Sequence, residues 1–127
     1  MADSTEKLDS LRTAARAAAD KKAFEIVGLE VADLASYTDA LLICSAGSDR
    51  QVGAIVDEVQ QQLKSAGRRP LHVEGGNRSD WVLLDYGDLV VHVFTEERRA
   101  YYGLDRLWGD APRLDAEALG VVGSPPA

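Results

Sequence analysis

The run Ala40 to Gly47, ALLICSAG, constrains the fold more than any other stretch of the chain. It lacks the polar alternation of a strand with one wet face, so it reads as a central strand covered on both sides. The next twenty residues are equally specific. Ser48 and Gln51 form an S-x-x-Q capping box, in which each side chain can satisfy a free backbone N–H of a first helical turn. Val52, Ile55, Val56, Val59 and Leu63 then recur at helical spacing on one face. Gly67 stands where a left-handed residue closes a helix, and Arg68, Arg69 and Pro70 lead away. A buried strand, a tight Gly-Ser turn and an amphipathic helix therefore succeed one another.

The remaining elements are arranged around that unit. Residues 4 to 22 read as a helix with a weak apolar stripe of Leu8, Leu11, Ala15 and Ala18, capped by Asp3 or Ser4, with Glu6 in its first turn. FEIVGLEV (24–31) is rich in strand-forming residues, and LHVEGG (71–76) is a short strand running into a glycine turn. WVLLDY and DLVVHVF pair as a hairpin across Tyr86-Gly87. Thr95 caps a short helix, EERRAYY, with Glu96 and Glu97 at its positive end, and Gly103 ends it. The order α-β-β-α-β-β-β-α predicts a single α/β domain with a mixed sheet of about five strands and helices packed on it. At 127 residues the chain is one domain by size. The domain is expected to span residues 1–111. Residues 112–127 carry few large apolar side chains and end in Ser-Pro-Pro-Ala, which predicts a largely disordered tail.

Composition removes several function classes. No apolar run reaches the length of a membrane span, and the charged N-terminus lacks the apolar core of a signal peptide, which predicts a cytoplasmic protein. The single cysteine, Cys44, cannot make an internal disulfide. It reads either as a buried thiol packing like a small hydrophobe or as a nucleophile in need of a base. Fourteen basic against twenty-one acidic residues give a net charge of −7. That balance argues against wrapping a nucleic-acid backbone and favours a basic protein surface as partner, or simply solubility.

Gly47-Ser48 is the most enzyme-like feature. A Gly-Ser turn opening a helix can hold a phosphate, and nucleotidyltransferases use such a turn together with paired carboxylates that bind magnesium. No D-x-D or E-x-E comes after it here. Asp57 and Glu58 are adjacent on a helix, and Asp85 and Asp88 flank a turn. Dinucleotide and phosphate-loop fingerprints are absent, and His72 and His92 are not spaced as zinc ligands. His92 shares a strand face with Val90 and Phe94. It is either hydrogen-bonded structure or, should folding bring it to Cys44, half of a dyad. The residues thus assign no catalytic group, no cofactor site and no metal site.

Residues 81 to 108 hold both tryptophans, three of the four tyrosines and one of the two histidines, beside Arg98, Arg99 and Arg106. Trp81, Tyr86, Phe94 and Tyr102 are core fillers on one reading. On the other, some are interface anchors, because buried Trp, Tyr and Arg supply much of the binding energy of protein interfaces.

Six motifs stand out between about Leu8 and Ala111: Tyr37-Thr38-Asp39, Ser48-Asp49-Arg50-Gln51-Val52 followed by Ala54-Ile55, Glu74-Gly75, Trp81-Val82-Leu83-Leu84-Asp85-Tyr86, Val91-His92-Val93-Phe94, and Arg98 to Trp108. With these motifs in this order the chain resembles a known family, the Iojap-like bacterial ribosomal silencing factors (RsfS). The resemblance implies a nucleotidyltransferase-like α/β fold without the catalytic carboxylates. It implies binding to ribosomal protein L-fourteen (uL-fourteen) on the large ribosomal subunit. Bound there, the factor blocks docking of the small subunit and represses translation during nutrient limitation or stationary phase. It further implies a link to large-subunit maturation and pairing as a homodimer. Carried onto this chain, the contact residues are Trp81, Leu83, Asp85 and Tyr86, with Tyr101, Tyr102, Leu107, Trp108 and Asp110 as a second group. Two alternatives stand beside it: a metal-dependent, nucleotidyltransferase-like enzyme using Gly47-Ser48, and a large-subunit maturation factor without a silencing role.

Overall fold

The computed structural model describes residues 2–32, 38–76, 79–102, 109, 111–114 and 118–120, the side chains of 2–7, 101 and 102 excepted. Helix α1 spans Ala2–Asp20 and is followed by strands β1 (Phe24–Glu30) and β2 (Ala40–Ala46). Helix α2 (Asp49–Ser65), strands β3 (His72–Glu74), β4 (Trp81–Asp85) and β5 (Leu89–Thr95), helix α3 (Glu96–Tyr102) and strand β6 (Arg113–Leu114) complete the order.

The six strands form one sheet in the order β3-β4-β5-β2-β1-β6. Strands β2 and β5 run parallel, and every other pair is antiparallel. The mixed sheet expected from the element order is therefore present, with β2 inside it and buried at every position. Because side chains alternate across a strand, β2 feeds two cores. Ala40, Leu42, Cys44 and Ala46 join the layer under α1 and α2, with Val82, Leu84, Val91 and Val93. Leu41 and Ile43 join the opposite layer with Leu29, Val31, Val90, Phe94 and Ala111.

Helix α2 forms as its local signals dictate. Ser48 Oγ accepts the Gln51 backbone N–H at 3.2 Å, and Val52, Ile55, Val56, Val59 and Leu63 are all buried. At about 1.5–3 kcal/mol for each fully buried aliphatic side chain, that face outweighs any plausible cap contribution. Gly67, at φ +87°, turns the chain out, and the Arg68 N–H bonds back to the Leu63 carbonyl at 2.8 Å. The Gln51 side chain does not close the box on Ser48. Its Oε1 accepts from the Gly47 N–H at 2.6 Å, while its Nε2 donates to the carbonyls of Lys21 and Lys22, just past the end of α1.

Several boundaries differ from expectation. Helix α1 begins at Ala2, so Asp3 and Ser4 lie in its first turn rather than before it. The β3 strand is only three residues long, and each of them is exposed at the sheet edge. The sheet has a sixth strand, β6, which pairs Arg113 with Leu29 and Leu114 with Gly28, and Leu119 is completely buried in the helix-side core. Arg113, Leu114 and Leu119, which fall in the segment expected to be largely disordered from residue 112, thus belong to the sheet and the core. Gly103, expected to end α3, lies outside the described residues.

Candidate functional site: the face of the β4–β5 hairpin

The hairpin read from WVLLDY and DLVVHVF forms, with Trp81 opposite Phe94, Leu83 opposite His92 and Asp85 opposite Val90. Alternation along β4 sends Val82 and Leu84 into the helix-side core and leaves Trp81, Leu83 and Asp85 on the other side, each half-buried. Trp81 and Leu83 pack against the second core, so their inner surfaces are anchored while part of each remains exposed. The edge strand extends this face. Glu74 lies opposite Leu83 and His72 opposite Asp85, and the two exposed side chains pair at 3.0 Å.

Trp81 sits in a layer of near-parallel rings. Its centroid lies 5.2 Å from that of Phe94 at an interplanar angle of 14°, and 6.0 Å from His92 at 23°. The indole N–H donates to His92 Nδ1 at 3.2 Å. His92 is only 6% exposed, and burial pushes its imidazole down to about 4, so the ring is neutral at physiological pH and able to accept. Gly75 shapes the same spot from the neighbouring strand end. At φ +95°, a Cβ there would lie 2.6 Å from the Trp81 carbonyl oxygen, so no other residue fits.

Asp85 has two faces. One carboxylate oxygen accepts the Gly87 N–H at 2.8 Å and so closes the hairpin turn. The group as a whole adds a carboxylate to this face, opposite His72. Tyr86 behaves differently from the other three hairpin candidates. Its position turns it to the helix side, where it is 3% exposed, and Arg68 lies over its ring at 5.8 Å. Burial, opposed by Arg68, pushes its phenol up to about 12, and its hydroxyl meets no hydrogen-bond partner among the described residues. Tyr86 and Phe94 are thus core, whereas Trp81 remains partly open. Tyr101 and Tyr102 lie at the end of α3 with side chains outside the described set, as are Leu107, Trp108 and Asp110 altogether.

The enzyme-like features do not come together. Cys44 faces the helix-side core and His92 the opposite one, so the sheet itself separates the two members of the imagined dyad. Cys44 is fully buried, and burial pushes its thiol up to about 12, despite the opposing charge of Arg99. The Gly47-Ser48 turn opens on a cleft of about 560 Å³ whose lining includes Asp80, Glu96 and Glu97. Those carboxylates would repel a phosphate at the helix end, and Asp80 is engaged by Arg98. Among the described residues, no three of His, Cys, Asp and Glu gather as a metal site would require.

Two polar anchors escaped sequence reading. Arg99, nearly buried, donates to Ser45 Oγ at 2.9 Å and to the Glu25 carbonyl, tying α3 to β2 and to the irregularity of β1 between Phe24 and Val27. Arg68 donates to Ser10 Oγ, the Tyr86 carbonyl and Asp88, tying the end of α2 to α1 and to the hairpin turn. Both sets of partners are distant in sequence, and nothing local to either arginine announces them.

Fold and face define a small mixed-sheet α/β protein with an aromatic and acidic face on its β4–β5 hairpin, where Trp81, Leu83 and Asp85 are half-buried. The sequence pattern of the family described as "Ribosomal silencing factor during starvation" (RsfS) matches residues 4–125. The chain is 43% identical to the ribosomal silencing factor RsfS of Bacillus subtilis over 84% of its own length and 91% of that protein. A crystal structure of a Chromobacterium violaceum protein matches with a TM-score of 0.77 at 33% identity, covering 94% of this chain and 88% of that one. The mouse protein named "Mitochondrial assembly of ribosomal large subunit protein 1" is 31% identical over 69% of this chain and 40% of its own. The chain belongs to the ribosomal silencing factor family, RsfS. No helix among the described residues is long and apolar enough to cross a membrane.

Proposed function

We propose that this chain is a non-enzymatic factor of the cytoplasm that binds ribosomal protein L-fourteen (uL-fourteen) on the large ribosomal subunit. From there it sterically blocks association with the small subunit, repressing translation under nutrient limitation. Membership of a silencing family supports this reading, and the observation that carries it is the half-buried face of Trp81, Leu83 and Asp85. An aromatic anchor held from behind, an aliphatic neighbour and a carboxylate are what a basic protein surface would need opposite it. The net charge of −7 steers the encounter in the same direction. Tyr101, Tyr102, Leu107, Trp108 and Asp110 are proposed to widen the contact; Tyr86 supports it from the core.

Purified protein at saturation should abolish reassociation of the two subunits in a sedimentation gradient. Trp81→Ala should bind the large subunit at least about tenfold more weakly while remaining folded. Asp85→Asn removes the charge yet keeps an oxygen for the Gly87 N–H, so it tests the electrostatic part without opening the turn. An undiminished 70S peak at saturating protein would overturn the silencing role. The name of the mouse relative favours a second reading, assembly of the large subunit without silencing. Recovery of the protein on precursor particles alone, and never on mature large subunits, would select it.

A further inference from the structure

We infer that His92 is a positioning residue for the docking face: its Nδ1, accepting from the Trp81 indole, holds that ring in its binding orientation and satisfies its only hydrogen-bond donor from inside the protein. The inference rests on the reading of Trp81 as an anchor and specifies how the anchor works. His92 is an odd occupant of its position. Its neighbours on that face of β5 are Val90 and Phe94, in a mainly apolar layer whose other buried polar side chains among the described residues include Ser45, itself held by Arg99. An imidazole buried there forfeits hydration that a valine or isoleucine would never have needed, so the site is costly unless the ring nitrogen has a partner. The partner is the indole N–H, 3.2 Å away, with the two rings inclined by 23°.

The geometry has a consequence for what can sit opposite Trp81. An indole has one donor and no acceptor. Docking that covers a tryptophan strands the N–H unless one side supplies an acceptor, and a stranded donor weakens binding. Here the acceptor is internal. The partner therefore needs no carbonyl or carboxylate at that point and can present an aliphatic group or a cation to the ring. Ring contacts with Phe94 and His92 and the hydrogen bond restrain the indole, so little side-chain freedom is lost on docking.

Four variants test this with two readouts, affinity for purified large subunits and the indole N–H resonance of Trp81 in labelled protein. His92→Phe keeps a ring in the stack and removes the acceptor. It should move the Trp81 resonance and weaken binding about tenfold to hundredfold. His92→Asn places an oxygen where Nδ1 stood. It should return the resonance towards its native position and restore affinity to within about threefold of wild type. Trp81→Phe removes the donor, and adding His92→Phe to it should cost nothing further. Trp81→Ala calibrates the anchor. Should His92→Phe fail to give a native spectrum, His92→Leu carries the same test. Loss of binding by Trp81→Ala with wild-type affinity in folded His92→Phe would overturn the positioning role and leave the docking face standing. Wild-type affinity in Trp81→Ala would overturn both. A restored resonance in His92→Asn without restored affinity would also overturn it.

Discussion

Two residues on either side of β2 and β5 carry buried groups whose ionisation the fold has displaced in ways that can be measured. His92 is held at about 4, against 6.5 for an unperturbed imidazole, because burial disfavours its cation. The unfolded chain therefore takes up a proton as pH falls below about 6.5, while the native state resists until about 4. Stability is unaffected above that window and declines through it, by about 2 kcal/mol at pH 5 and about 3 kcal/mol at its lower end. Denaturant unfolding at pH 7 and at pH 5 should show this loss in the wild type and a clearly smaller one in His92→Phe. Equal losses in both proteins would assign the acid sensitivity elsewhere. Cys44 is the contrasting case. Its thiol, fully buried and pushed up to about 12, is a packing group that the sheet shields from His92 on the neighbouring strand. The choice between packing group and nucleophile, open in the sequence, was settled by which side of the strand each residue faces.

At the level of elements, the parts legible in the sequence are those whose signals are local. The α2 helix announces itself through Ser48, five apolar residues at helical spacing and Gly67, and all of these act within a few residues of one another. The hairpin is legible for the same reason, since alternation along β4 separates Trp81, Leu83 and Asp85 from Val82 and Leu84. The same alternation puts Tyr86 with the inward set, which the family motif, taken as a contiguous string, obscured. What was not legible depends on residues far apart in the chain. Gln51 reads locally as the second half of a capping box, yet its amide joins the Gly47 turn to the carbonyls just past α1, about thirty residues upstream. That wider duty makes a prediction. Ser48→Ala removes one cap bond and should cost about 1 kcal/mol. Gln51→Ala removes three bonds and frees the contact between two helices, so it should cost more, roughly 1.5–3 kcal/mol. Urea midpoints of the two variants decide it, and a smaller effect in Gln51→Ala would mean that water replaces those bonds without loss.

Across the whole molecule, the first helix, the β6 strand and Leu119 meet over β1. Gly28 is the meeting point: a Cβ placed there would lie 3.2 Å from Leu119, 3.4 Å from Leu11 and 3.4 Å from Leu114. Leu11 comes from the first helix, Leu114 from the last strand and Leu119 from the segment beyond it. The sequence could not reveal this closure. A two-residue strand has no period to detect, and a lone leucine among small residues looks like part of a solvated tail. Only the three-dimensional approach to a residue without a side chain makes room for it. Because Leu119 is wholly buried in the core that also holds α1 and α2, it should behave as a core leucine and not as a tail residue. Leu119→Ala should destabilise the domain by about 2–5 kcal/mol, the range for opening a cavity at a packed site. The affinity of the remaining folded protein for large subunits should stay near wild type, because Trp81, Leu83 and Asp85 face the other side of the sheet. Thermal unfolding and subunit binding measured on the same preparation separate the two effects. An unchanged unfolding midpoint would mean that the domain ends before residue 119 in solution.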